Sequence, residues 1–199
     1  MFDQASILLL ASGISSRFGV EDKLLADLNG RPVLSYPASV LGAEPGVGRF
    51  AVVGARQEAR KAWLEAHGFH VVTNPVPENG QGRSLAIGIA HIRDTTSSDK
   101  VLILLGDMPF VTDAHVTRLA ATLARDASAV MSEANGVLSP PAMFRRSAFD
   151  RLASLEGDRG ARSVFDQLPE TRVVATDAGM LTDIDDRNDL ERAEERMHG

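Results

Sequence analysis

The chain has no cysteine, so it holds neither a disulfide nor a thiolate-bound metal. It also lacks a basic excess: 21 Lys and Arg stand against 27 Asp and Glu, a net charge of −6. That balance argues against general binding of nucleic acid, which needs a basic face. No long apolar run is present. The first, residues 7–10, is too short for a membrane span or a signal-peptide core, and it follows Asp3 rather than a basic stretch. We therefore expect a cytoplasmic protein without membrane contact. Repeats, low-complexity segments and blocks of like charge are absent as well.

What remains is an ordinary globular composition, with 44% hydrophobic and 24% charged residues in 199. A chain of this length buries about 70% of the surface it would expose when unfolded. With no linker in view, one domain spanning 1–199 is expected. Short apolar runs at 5–10, 50–53, 70–72, 101–105, 129–131 and 173–175 read as buried strands. Between them, helical patterns occupy 56–67, 83–92, 114–125 and 186–197. In the first, Ala59, Ala62, Trp63 and Ala66 are expected to form the apolar face; in the second, Leu85, Ile89 and Ile92. Strand alternating with helix predicts an α/β fold with a mostly parallel sheet covered on both faces. Gly136, Pro140 and Pro141 break the pattern over 134–149, which reads as an irregular insertion, an extra hairpin suited to acceptor contacts.

Four segments carry chemistry. In LLLASGISSRFGVEDKLL, residues 8–25, a buried strand runs into a loop holding Ala11, Ser12, Gly13, Ser15, Arg17 and Lys23. Ligands of parallel sheets sit at the carboxyl ends of strands, and glycine lets backbone amides approach phosphate oxygens. Arg17 suits forked contacts to phosphate and Lys23 a movable point charge. The spacing matches neither a Walker loop nor a dinucleotide fingerprint. In VLILLGDMPFVT, residues 101–112, five apolar residues deliver Asp107 to a strand end, where a carboxylate suits Mg2+ or caps a turn. In LTDIDDRNDL, residues 181–190, Asp186 fits a helix N-cap with Asp189 in the first turn. One of Asp183 and Asp185 is expected to face the site, and the residues alone do not say which. In NPVPENGQGRSLAIGI, residues 74–89, a proline-rich turn leads to Gly80, Gln81 and Ser84 at a helix start, whose amides and hydroxyl suit the edge of a base.

In this order the four segments resemble the molybdenum-cofactor nucleotidyltransferase family, within the larger set of sugar-nucleotide and diphosphocytidyl transferases. LLASGISSRFG, then Lys23-Leu24-Leu25, then Gly30-Arg31-Pro32 looks like its opening LAAGxSxRxG…K…GxP. Gly106-Asp107 with Pro109 looks like its GDxP, and Asp183-Ile184-Asp185 with Asp189-Leu190 like DIDTPEDL. The resemblance implies a three-layer, Rossmann-like nucleotide-diphospho-sugar transferase fold with a mostly parallel mixed sheet. It also implies Arg17 and Lys23 on the triphosphate, and Asp107 and Asp185 on Mg2+. Gly82-Arg83-Ser84-Leu85 leading to Gly88 resembles the GxSSSLxxG stretch of cytidylyl members rather than the GPLAG of guanylyl ones, which favours CTP over GTP. Asp158 to Arg162 lie in a run similar to GDxGAR, which implies Arg159 and Arg162 at an acceptor phosphate. Ser139-Pro140-Pro141 departs from the GHP of many relatives, and Ser12 and Asp186-Arg187-Asn188 depart more mildly.

The expected reaction is transfer of CMP from CTP to the terminal phosphate of a molybdopterin-type acceptor, with release of pyrophosphate. Its product would serve a molybdenum hydroxylase. Such a nucleophile is already anionic, so no general base is needed, and the five histidines lie outside all four segments. A GTP-using transferase and a non-catalytic cofactor-carrying accessory protein are the alternatives. A nicotinamide-dependent oxidoreductase is disfavoured, because Gly54-Ala55-Arg56 after the second strand offers no acidic residue for a ribose.

Overall fold

A computed structural model of the protein describes residues 2–14, 18, 21–42, 44–124 and 126–198. The chain opens with strand β1 (Ala5–Leu10), a two-residue ladder of β2 (Asp27–Leu28) and β3 (Arg31–Pro32), and helix α1 (Ser35–Ser39). Then come β4 (Gly48–Gly54), α2 (Glu58–Ala66), β5 (His70–Asn74), α3 (Gln81–Thr95), β6 (Lys100–Leu105) and α4 (Asp113–Leu123). The last part contains β7 (Ala129–Ala134), β8 (Val137–Arg145), α5 (Phe149–Ala153), α6 (Ala161–Phe165), β9 (Thr171–Ala175) and α7 (Arg187–His198).

Among the described residues the main sheet has seven strands in the order β5-β4-β1-β6-β8-β7-β9. It is mixed: β1 pairs in parallel with β4 and β6, β4 with β5, and β7 with β9, while β8 runs antiparallel to both its neighbours. Alternation along β1 explains the layers. Ile7 and Leu9 face a core shared with α4 residues Val116 and Leu119, whereas Leu8 and Leu10 face one built with Leu85, Ile89 and Ile92 of α3. Both faces being covered, β1 and β6 are apolar apart from Ser6 and Lys100 near their starts. This is the α/β architecture expected from the pattern of runs.

Two expectations are corrected. The segment 134–149 is not irregular, because most of it is β8, which enters the sheet between β6 and β7. Asn135 and Gly136 both take positive φ, +51° and +80°, and close a tight β7–β8 turn whose twist matches the strands. The register shifts between Met131 and Ser132, so that Pro140 and Pro141, which have no amide to donate, fall beside the irregularity. In α2 the inward face is Arg60 and Leu64, while Ala59, Ala62 and Ala66 are exposed.

Candidate functional site

The chain leaves β1 for β4 on one side and β6 on the other, which makes the carboxyl end of β1 the switch point where a crevice forms. Leu10 is in register with Val52 and with Leu105, so β1 and β6 end level while β4 runs on two residues to Gly54. Past the ends of β1 and β6 the Ala11 amide donates to Val52 O at 2.9 Å and the Gly106 amide to Leu10 O at 2.9 Å. A cleft of about 280 Å³ opens here, lined by Ser12, Gly13, Lys23, Gly80, Gln81, Asp107 and Asp158 among others.

The first loop is held from behind by α2. Arg60, 2% exposed, donates from Nη1 to Ala11 O and Gly13 O, both at 2.7 Å. Its Nε lies 2.8 and 2.6 Å from the two oxygens of Asp22. Gln57, three residues earlier on the same helical side, donates from Nε2 to Ser12 O at 3.3 Å and Gly13 O at 2.9 Å. The carbonyls of the loop are thus turned towards α2. The amides of Ser12, Gly13 and Ile14 make no hydrogen bond among the described residues. A row of carbonyls tied on one side and open amides on the other is the arrangement that receives an anion.

At the base of the cleft Lys23, 7% exposed, donates to Asp107 Oδ2 at 2.8 Å and to Asp185 Oδ1 at 3.1 Å. Burial would lower the ammonium's pKa, but the charges and hydrogen bonds of Asp107 and Asp185 outweigh it and hold the group above its ordinary range. Asp107 is brought there by β6 and Asp185 by the segment before α7, and the two are stitched together by the Ile184 amide, which donates to Asp107 O at 2.9 Å. Asp186 and Asp189 form a reciprocal cap. The Asp189 amide donates to Asp186 Oδ1, and Asp189 Oδ2 accepts from the amides of Asp185 and Asp186, all at 3.0 Å. That cap fixes the backbone of Asp185, whose Oδ1 meets Lys23 in the cleft.

The expectation that only one of Asp183 and Asp185 faces this side is corrected. Residues two apart on extended backbone share a side, and Ile184 between them is fully buried on the other. The Asp183 carboxyl, exposed over part of its surface, is pushed above the usual carboxylate range by burial of the remainder, then by Asp107 and Asp185. Only Asp185 bonds to Lys23. Asp107 and Asp185 converge on one cation, and with Asp183 nearby their charge exceeds the single ammonium's. Such a pair of hard oxygen donors fits a divalent ion that completes its shell with phosphate oxygens and water.

Over the other side of the cleft, the start of α3 meets the loop before α6. The Gly82 amide donates to Gly157 O at 2.9 Å. A Cβ on Gly80, whose φ is +91°, would lie 2.3 Å from Asp158 Oδ1, and one on Gly82 would lie 2.4 Å from Arg159 O. These glycines are there because the two chains touch.

The residues singled out in the sequence are distributed as follows. Ser12, Gly13, Lys23, Gly80, Gln81 and Asp107 line the cleft. Asp185 joins through Lys23, and Ala11 is buried beneath the loop. Ser84 does not offer its hydroxyl to a ligand. It is 1% exposed and its Oγ accepts from Ser12 Oγ at 2.6 Å and Asn74 Nδ2 at 2.9 Å, bracing the loop from below. Arg159 and Arg162 are exposed and do not line the cleft; Arg162 Nε lies 3.8 Å from Asp166, and the cleft-lining member of that run is Asp158. Ser15 and Arg17 lie outside the described residues. Sequence reasoning missed Gln57, Arg60, Glu78 and Asp158. The one available signal was a charged residue, Arg60, next to the inward Leu64 pattern.

The model of the MobA-like NTP transferase domain family matches residues 7–173. The bifunctional protein GlmU of Sorangium cellulosum is 29% identical over 158 residues, which are 76% of this chain and 33% of that protein. The chain thus spans about a third or less of the length of the curated relatives it matches. The crystal structure of Rv0371c from Mycobacterium tuberculosis superposes with a TM-score of 0.80 at 24% identity, covering 97% of this chain and 98% of that one. Rv0371c is also known in complex with manganese. Molybdopterin-guanine dinucleotide biosynthesis protein A from Archaeoglobus fulgidus superposes with a TM-score of 0.68 at 18% identity, covering 97% and 98%. At these identities the solved structures establish the nucleotidyltransferase fold.

Proposed function

This chain belongs to the MobA-like NTP transferase domain family, and on that footing we propose that it transfers CMP from CTP to a phosphate of a molybdopterin-type acceptor. The observation that carries the reading is the convergence of Lys23 on Asp107 and Asp185 beside the open amides of the first loop. In the reaction an acceptor phosphate oxygen bonds to the α-phosphorus of CTP, the bond to the bridging oxygen breaks, and pyrophosphate leaves. The chain's residues position and neutralise. The amides of Ser12 to Ile14 and the Lys23 ammonium receive phosphate oxygens, and Arg17 is assigned the same task from the sequence. A divalent ion such as Mg2+, held by Asp107 and Asp185, would supply charge neutralisation on those oxygens. Gly80 and Gln81, which line the cleft, are assigned to the base. The choice of CTP rests on the likeness of Gly82-Arg83-Ser84-Leu85 to cytidylyl members. GTP is the second reading, favoured by the likeness to the Archaeoglobus protein. Service to a molybdenum hydroxylase is the further step of the same reading.

Incubation with labelled CTP, GTP, ATP or UTP, Mg2+ or Mn2+, and molybdopterin tests this through pyrophosphate release. Release with CTP and acceptor together is expected. Release with GTP alone among nucleotides would replace CTP, and none with any nucleotide would overturn the reading. Asp107→Ala is expected to lose at least about 10²–10³ in rate, as loss of a transition-state electrostatic partner does, with an unchanged circular dichroism spectrum.

A further inference from the structure

We propose that a second cavity, at the end of the sheet opposite the cleft, binds a small metabolite through an oxyanion group, a phosphate or a carboxylate. The proposal does not depend on the nucleotidyl-transfer reading. The cavity, about 680 Å³, lies between the segment from β3 to α1, the start of β4 and the last turn of α2. Arg31, Ser35, Arg49, Trp63 and His67 contribute to its wall.

Charge is the first reason. The chain carries more acidic than basic residues, yet no carboxylate lines this cavity among the described residues. Neither Arg31 nor Arg49 has a carboxylate partner there. Two arginines sharing a wall without a counterion repel each other, and an anion between them removes that repulsion.

Unmet hydrogen bonding is the second. Arg49 donates from Nη2 to the carbonyl of Ala38, but its Nη1 is enclosed and has no partner, and neither has the Ser35 hydroxyl. Burial pushes the Arg49 guanidinium below its ordinary pKa, as expected of a charge desolvated without compensation. Enclosed donors without acceptors are rare in folded proteins, and an oxyanion in the cavity becomes an acceptor for either once its side chain turns towards it.

Geometry is the third. Arg31 lies over the Tyr36 ring at 3.9 Å and Arg49 over the Phe69 ring at 4.4 Å. Guanidinium groups laid on rings keep their N–H edges for a planar or tetrahedral oxyanion. Trp63 and His67 stack at 3.7 Å with 14° between their planes, and give the rest of the molecule an aromatic wall. The cavity is larger than a lone phosphate, hence a metabolite carrying the group.

Trp63 is the only tryptophan, so intrinsic fluorescence reports on this cavity directly. Inorganic phosphate and citrate are titrated separately into the full chain at constant ionic strength set with chloride. A saturable change with at least one is expected, and which of them acts tells phosphate from carboxylate chemistry. Arg49→Gln and Arg31→Gln should each weaken it at least tenfold, whereas Lys23→Gln, which removes the ammonium of the first cleft, should leave it unchanged. Arg31 is exposed, so its variant serves even if Arg49→Gln fails to fold. No saturable response to either anion, a response indifferent to both arginine substitutions, or one abolished by Lys23→Gln overturns the proposal. The last result would place the anion in the first cleft.

Discussion

Replacing Arg60 by methionine tests how the first loop is held. The substitution keeps an unbranched side chain of similar length while removing every donor. Asp22 then loses its buried partner, and such a loss costs about 3–5 kcal/mol. Because the Asp22 side chain is 27% exposed, water recovers part of this, and the lower figure, about 3 kcal/mol, is the better starting value. The Ala11 and Gly13 carbonyls also lose charge-assisted bonds, nominally about 1.5–3 kcal/mol each. Gln57 still reaches Gly13 O at 2.9 Å, so we add only about 1 kcal/mol and expect about 4 kcal/mol in all. With a urea m-value of about 2 kcal/mol/M, the unfolding midpoint should fall by about 2 M. Nucleotide affinity measured by calorimetry should fall as well, since the loop amides are no longer aimed by their carbonyls. Arg60→Lys, which retains one charge but not the fork, should lie between wild type and Arg60→Met in both measurements. A midpoint within about 0.5 M of wild type for Arg60→Met, with unchanged nucleotide affinity, would refute the reasoning.

Three other outcomes follow from the structure. His115 is buried with Nε2 on Ser132 Oγ at 2.7 Å; Ser132 donates to Pro141 O, so Nε2 carries the proton and the enclosed Nδ1 has no partner. Burial, then Arg118, lowers its pKa below the ordinary 6.5, so the unfolded chain binds the proton first. Stability should therefore be full above pH 6.5 and fall as the pH drops below it, and His115→Gln should flatten that part of the urea-midpoint profile. Gly82→Ala puts a methyl 2.4 Å from Arg159 O; the backbone must shift, and a loss of about 1–3 kcal/mol is expected in urea unfolding. Asp186→Ala removes one half of the cap at α7 and should cost about 1 kcal/mol by the same measurement, while Asn there should retain most of it.

Much of the fold is legible because buried parallel strands are short apolar runs, and β1 is one apart from Ser6. The face of α2 was not, because alanine tolerates either environment: Ala59, Ala62 and Ala66 trace a helical stripe yet point outward, and the inward charge of Arg60 finds its partners in a loop more than thirty residues away. At β8 the prolines suggest an irregular segment, yet the hairpin expected there is present and is closed by the Asn135-Gly136 turn. Within the cleft, Lys23, Asp107 and Asp185 stand at segment ends that a sequence pattern can locate. Asp158 and the demotion of Ser84 depend on two loops meeting across the sheet, some seventy-five residues apart in one case, and no local pattern encodes that contact.

The ammonium of Lys23 already sits where two carboxylates meet, and this bears on the order in which ligands enter. On the proposed reading, a divalent ion arriving alone would have to displace a bonded cation and leave it stranded in a poorly solvated place. Were a triphosphate to arrive with it, the lysine would gain new anionic partners in place of the old ones. Entry becomes an exchange of partners instead of a capture, so metal and nucleotide should each raise the protein's affinity for the other by the same factor. Either one titrated alone will understate how tightly the pair is held.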